Sequence, residues 1–250
     1  MKRVIFLIKT GILGLVFIAF ACTKDEASSV GFAMKATESQ NNVQSANQAL
    51  PPGDETSNLE LEWDIAWIYI TRLVFDAEYI GFTDNDGHAN YPDFHYEWQG
   101  NQKIDLFGEP KFFANMELPE GTFKHFELTM TSARFGITDE PNFYLSGTYK
   151  RALGETPLAV SVTEEFEMGF IYDYGEINIT DEGELFKSLV EISLDKVFQG
   201  ITSTDLDEAE LTNGWILISK DHNPDLYEKV LENLRGKEED GMTWEIHEYQ

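Results

Sequence analysis

From Leu59 to Tyr79 the chain alternates. Leu59, Leu61, Trp63, Ile65, Trp67, Tyr69, Leu73, Phe75 and Tyr79 place apolar or aromatic groups at odd positions. Glu60, Glu62, Asp64, Arg72, Asp76 and Glu78 occupy even ones. Successive side chains of a strand point to opposite faces, so the pattern predicts a β-strand with one face buried. Between Ala66 and Val74 both parities turn apolar, as expected for a central strand covered on both sides. The run is long for one strand and predicts a bend or bulge within it. Trp63, Trp67 and Tyr69 carry rings on which a sugar could stack, but core packing is the default reading of so regular an alternation.

The same period recurs downstream. Phe94, Tyr96 and Trp98 share one face of a strand, with His95 and Glu97 on the other. Gln99-Gly100-Asn101-Gln102 is expected to turn the chain into Lys103-Ile104-Asp105-Leu106. After Leu118-Pro119-Glu120-Gly121-Thr122-Phe123, the apolar Phe126, Leu128 and Met130 oppose His125, Glu127 and Thr129. Further strands are expected at 142–150, 158–162, 164–172, 189–194 and 211–219. A first strand is expected at 30–37 and a last strand or frayed tail at Trp244–His247. Asp195 to Gly200 suits a short helical turn closed by glycine. One α-helix stands out, at about 223–235. Asn223 would cap it, Pro224 suits its first position, and Leu226, Tyr227, Val230, Leu231 and Leu234 share one face before Gly236.

Two patterns raise metal chemistry. His95-x-Glu97 and His125-x-Glu127 each place an imidazole and a carboxylate on one strand face, about 7 Å apart. Were the two strands neighbours, His95, Glu97, His125 and Glu127 could together ligate a divalent metal. Asp84 and Asp86, before Gly87, resemble the opening of a calcium loop, although His95 stands where an EF-hand needs its bidentate glutamate. A plain hairpin turn is the default for that stretch.

The head of the chain assigns an address. Lys2, Arg3 and Lys9 precede a short apolar core that ends in Ala19-Phe20-Ala21-Cys22, the last being the only cysteine. The core is too short for a permanent span of roughly 20 residues and suits a cleaved signal. The ending resembles the lipobox of bacterial lipoproteins, with Cys22 the lipidated residue. Lys24-Asp25-Glu26 behind it resembles the export signal of Bacteroidetes-type lipoproteins displayed outside the outer membrane. The expected organisation is a signal peptide at 1–21, a lipidated tether at 22–29 and a single domain at 30–250. Residues 38–58, rich in Gln, Asn, Ser and Ala, are either a loop within that domain or a stalk before it.

The strand near Ile65, the Ile104-Asp105-Leu106 segment and the Leu118–Phe123 entry into a strand together resemble the Ig-like or transthyretin-like domains of bacterial surface lipoproteins. That resemblance implies a mainly β fold, an antiparallel β-sandwich, and for some such domains carbohydrate binding or an accessory role.

Charge narrows the partners. With 18 basic against 45 acidic residues the chain carries a formal net charge of −27, and signal cleavage removes only bases. Such a surface repels nucleic acid and anionic lipid, so attachment to the membrane falls to the lipid anchor. No phosphate loop, HExxH motif or Gly-x-Ser-x-Gly elbow occurs. The expectation is a binding or accessory lipoprotein of the outer membrane whose ligand is a glycan, a peptide or an envelope protein, with no cofactor beyond the possible divalent metal. Two alternatives stay open: a hydrolase of extracellular polymers using paired carboxylates among those at 155–184, or a structural component of an outer-membrane complex.

Overall fold

The computed structural model describes residues 28–37, 59–80, 93–133, 140–151, 154–172, 175–179, 185–235 and 242–248. The fold is mainly β. Its spine is β2 (Leu61–Ile80), the alternating stretch. Along one edge runs β3 (Phe94–Asp105), antiparallel. Along the other edge lie β6 (Phe143–Arg151), beside residues 61–68, and β5 (Gly121–Ser132), beside residues 72–80. Two strands therefore share one edge end to end. Beyond them β7 (Gly154–Val162) pairs with β6, and β8 (Phe166–Tyr172) pairs with β5. The short β9 (Ile177–Ile179) joins the start of β5. Past β7 come β12 (Trp215–Ile218), parallel to it, and β11 (Leu211–Thr212).

A smaller sheet has the order β13 (Met242–Glu248), β10 (Leu185–Ser193), β1 (Ser29–Thr37), β4 (Ala114–Glu117). Its centre is β1, parallel to β10 and antiparallel to β4. The outer β13 pairs with β10. β1 is an interior strand of this sheet with most of its length buried, and residues 38–58 lie outside the described residues. The parallel pairs β1–β10 and β7–β12 correct the expectation of wholly antiparallel pairing.

The sheets meet through aromatic rings. Phe75 of β2, with no exposed surface, takes Phe32 edge-on at 5.8 Å and Trp244 at 6.1 Å. Phe32 also stacks on Tyr96 at 6.4 Å, and Tyr172 meets Trp244 at 6.1 Å. Burying each such side chain stabilises the fold by roughly 1.5–3 kcal/mol. Of the two expectations for Trp244–His247, last strand or frayed tail, the strand holds, and Trp244 fills the core. Its indole Nε1–H donates to the buried Ser188 Oγ at 2.7 Å.

The other half of the large sheet is covered by helices. The turn after β10 is α1 (Leu194–Val197), and α2 (Ser203–Glu208) follows it. A capping box between Thr202 and Asp205 starts α2, satisfying otherwise orphaned N–H groups. The expected helix is α3 (Pro224–Leu234), and all five of its expected apolar residues are buried against α1, β7, β8 and β12. Asn223 differs from expectation. It sits in the left-handed region (φ 51°) and makes no cap bond. Its amide instead ties the chain before α3 to Leu217 O (2.8 Å) and Glu210 O (3.1 Å), and its Oδ1 accepts Glu210 N–H.

Candidate binding surface

The functional candidate lies on the outer face of β2 and follows from two bulges. Opposite Gly147 the register with β6 shifts between Trp63 and Ile65. The close approach requires glycine, since a Cβ at 147 would lie 2.0 Å from Glu62 O. Before the bulge Trp63 faces inward and packs on Phe198 at 5.0 Å. After it the parity inverts. Ala66, Ile68 and Ile70 become fully buried, and Ile65, Trp67 and Tyr69 turn outward, Ile65 with 50% of its surface exposed. A second shift, between Ile70 and Arg72, restores the odd positions Leu73 and Phe75 to the core. Core packing therefore holds for Trp63 but not for Trp67 and Tyr69.

Pairing carries the outward face across the sheet. Trp67 lies between Tyr144 of β6 and Asp105 of β3, and Tyr144 lies beside Ser161 of β7. The next row is Ile65, Ser146, Ala159 and Leu217. Small residues thus form a floor between larger apolar side chains. The rings of Trp67 and Tyr144 are 5.5 Å apart at 26°. Beside them opens a cavity of about 500 Å³ lined by Asp64, Ile65, Trp67, Lys103, Asp105, Phe107 and Gly108. Asp105 Oδ1 accepts from the N–H groups of Phe107 (3.1 Å) and Gly108 (3.3 Å), which holds the rim turn. The expected turn at 99–102 does not occur: β3 is continuous, and the irregularity there only shifts its register against β2.

Polar groups flank the rings. Tyr69 OH donates to Glu140 Oε2 at 2.5 Å, and Lys103 Nζ donates to the same oxygen at 3.3 Å. These two donors, the tyrosine first, hold the Glu140 carboxyl below the usual carboxylate range. The same contact, with some help from desolvation, pushes the Tyr69 phenol up. Lys103 Nζ also stands 3.7 Å over the centre of the Trp67 ring, within cation–π range.

The proposed metal ligands are not brought together. β3 and β5 lie on opposite edges of β2, so the adjacency that the metal idea needed is absent. His95 Nδ1 instead meets Asp76 of β2 at 2.6 Å, and Glu97 accepts from Arg72 Nε at 2.7 Å. His125 Nε2 meets Glu127 of its own strand at 3.1 Å. Among the described residues no group of three His, Cys, Asp or Glu is placed to hold a metal ion. Of the carboxylates on β8 and its approach, Glu164 pairs with Lys220 and Glu167 accepts from Thr131 Oγ1. Cys22, Lys24, Asp25, Glu26, Asp84 and Asp86 lie outside the described residues, as do the acids at 181, 182 and 184.

Comparison with family models, with curated proteins and with solved structures finds no match to this chain. Sequence reasoning named Trp67 and Tyr69 as possible stacking residues but missed Tyr144, Lys103, Asp105 and Glu140 as their companions. The doubly apolar stretch from Ala66 to Val74 suggests a strand covered on both sides, whereas Trp67 and Tyr69 lie on a half-buried outer face.

Proposed function

We propose that this chain is a glycan-binding lipoprotein of the outer membrane, anchored through Cys22, displayed outward, and carrying a β-sandwich as its binding head. The single observation that carries the binding reading is the outward Trp67–Tyr144 surface beside an open cavity. Trp67, Tyr69 and Tyr144 lie half-buried on the outer face beside the exposed Ile65, and a protein retains such an apolar patch where a ligand covers it. Aromatic rings present flat apolar faces to the C–H groups of a sugar ring. Asp64 and Asp105 supply acceptors for its hydroxyls at the rim. The facing of two sheets around Phe32 and Phe75 supports the sandwich reading, and the parallel pairs set it apart from a plain Ig-like or transthyretin-like arrangement. The lipobox-like ending at Cys22 and Lys24-Asp25-Glu26 support the anchor and the outward display.

The test is a screen of the purified mature protein against immobilised oligosaccharides, repeated with Trp67→Ala. Binding to a glycan class that is lost in the variant, with the fold intact by circular dichroism, is the expected result. Binding that is unchanged in Trp67→Ala would move the site elsewhere.

A further inference from the structure

Lys103 occupies an unusual seat for a surface lysine. The rings of Trp67 and Tyr69 stand at 82° with centroids 5.6 Å apart, forming two walls of a corner. The Lys103 ammonium lies in that corner, 3.7 Å from the Trp67 centroid and 5.6 Å from that of Tyr69. Glu140 closes it with the carboxylate oxygen that also accepts from Tyr69 OH. Two perpendicular ring faces and a carboxylate around one ammonium are the components by which proteins recognise organic cations. The corner is built rather than incidental. Glu140 is fixed two residues before the buried Asn142, whose backbone carbonyl accepts Tyr69 N–H at 2.8 Å. It is also open, because the side chains of Lys103 and Glu140 are 40% and 50% exposed. A lysine on a flexible four-carbon stem can leave such a seat without disturbing the sheet.

We infer that Lys103 is an internal stand-in for the ligand's own charge, and that the surface takes a glycan bearing free amines, its sugar ring over Trp67 and its ammonium in the Trp67–Tyr69–Glu140 corner. This rests on the glycan-binding reading above and narrows it. Three observations converge on a cationic sugar rather than a neutral or acidic one. The corner already holds a primary ammonium. Asp64 and Asp105 line the adjoining cavity. The chain's net charge of −27 attracts cations over distance. Binding then exchanges one ammonium for another, and Lys103 swings into solvent.

The experiment is calorimetric titration of the mature protein with glucosamine oligomers and with the same oligomers N-acetylated, at a pH where the free amine is protonated. The expected result is about tenfold tighter binding of the free-amine series. Lys103→Ala removes the competing occupant and should tighten glucosamine binding by about threefold to tenfold. Glu140→Gln should erase the preference while retaining whatever affinity the N-acetylated series has. In wild type, the ring-current-shifted ε-methylene protons of Lys103 should return to ordinary positions on saturation. Equal affinity for the two series would overturn the inference and leave the aromatic platform standing. Weaker glucosamine binding by Lys103→Ala, or unmoved Lys103 resonances, would also overturn it. Failure of the wild type to bind either series would overturn it too; binding of other, neutral oligosaccharides in the separate screen would still preserve the platform reading.

Discussion

The side-chain amide of Asn142 donates both its protons to backbone carbonyls of the neighbouring strand connection, Thr163 O at 3.1 Å and Glu164 O at 2.7 Å. Asn142 is 1% exposed and sits where β5 gives way to β6 and β7 gives way to β8. At that seam the strand ladders are interrupted, and the freed carbonyls need donors that the sheet no longer provides. Its own backbone N–H donates to Val162 O at 2.6 Å. Asn142→Ala should therefore leave two carbonyls without their donor and destabilise the fold by about 1–3 kcal/mol. Urea denaturation checks this, with a lower midpoint at an unchanged slope. Asn142→Asp, which replaces the donating amide with acceptors, should be worse than alanine.

Gly147 and Gly169 make a paired prediction. A Cβ at 147 would meet the Glu62 carbonyl at 2.0 Å, whereas one at 169 would have no atom within 4 Å. Gly147→Ala should force β6 away from β2, at a cost of about 1–3 kcal/mol. Because that bulge also turns Ile65 and Trp67 outward, glycan affinity should fall with stability. Gly169→Ala should change neither measurably. Thermal melts and binding titrations of the two variants side by side make the comparison.

The Tyr69–Glu140 contact predicts a pH dependence on the acid side. Folding lowers the titration of Glu140, so any stabilisation it supplies is present above the unfolded carboxylate value and is lost as pH falls through the lower folded value. The lock should therefore hold through the ordinary carboxylate range and release only at more acid pH. Carboxyl carbon shifts of Glu140, followed by NMR, read this directly, and Tyr69→Phe should raise the midpoint. No upward move in that variant would mean that the tyrosine does not hold the carboxylate.

The anchor is testable apart from the fold. Fatty-acid labelling in the cell should mark the protein and vanish in Cys22→Ala. Protease added to intact cells should remove the domain from the surface, and a domain left uncut would contradict outward display.

Much of the architecture was written locally. The alternations of Phe94–Trp98 and Phe126–Met130 gave strand, register face and core together, because period two and burial coincide there. Helix α3 was legible for the same reason at its own period. Asn223 looked like a cap by residue type, yet tertiary carbonyls at Leu217 and Glu210 claimed its amide first. The candidate surface was hidden by one strand's change of parity. Nothing near Trp67 marks the bulge, since the glycine that permits it lies about eighty residues away, across the ladder in β6. The metal idea failed on an equally nonlocal fact, that β2 runs between the two histidine-bearing strands. Asp76, in the central strand, is the residue that meets His95.

On the proposed reading, ligand binds the outward face of β2. Chemical-shift mapping of the isotopically labelled mature protein during titration with a bound oligosaccharide tests it most directly. Ile65, Trp67, Tyr144 and Asp105 should shift together and saturate at one stoichiometry, with the Trp67 indole N–H among the largest changes. Shifts confined to Trp215, to the outer face of β8 or to any other surface, with Trp67 unmoved, would contradict it.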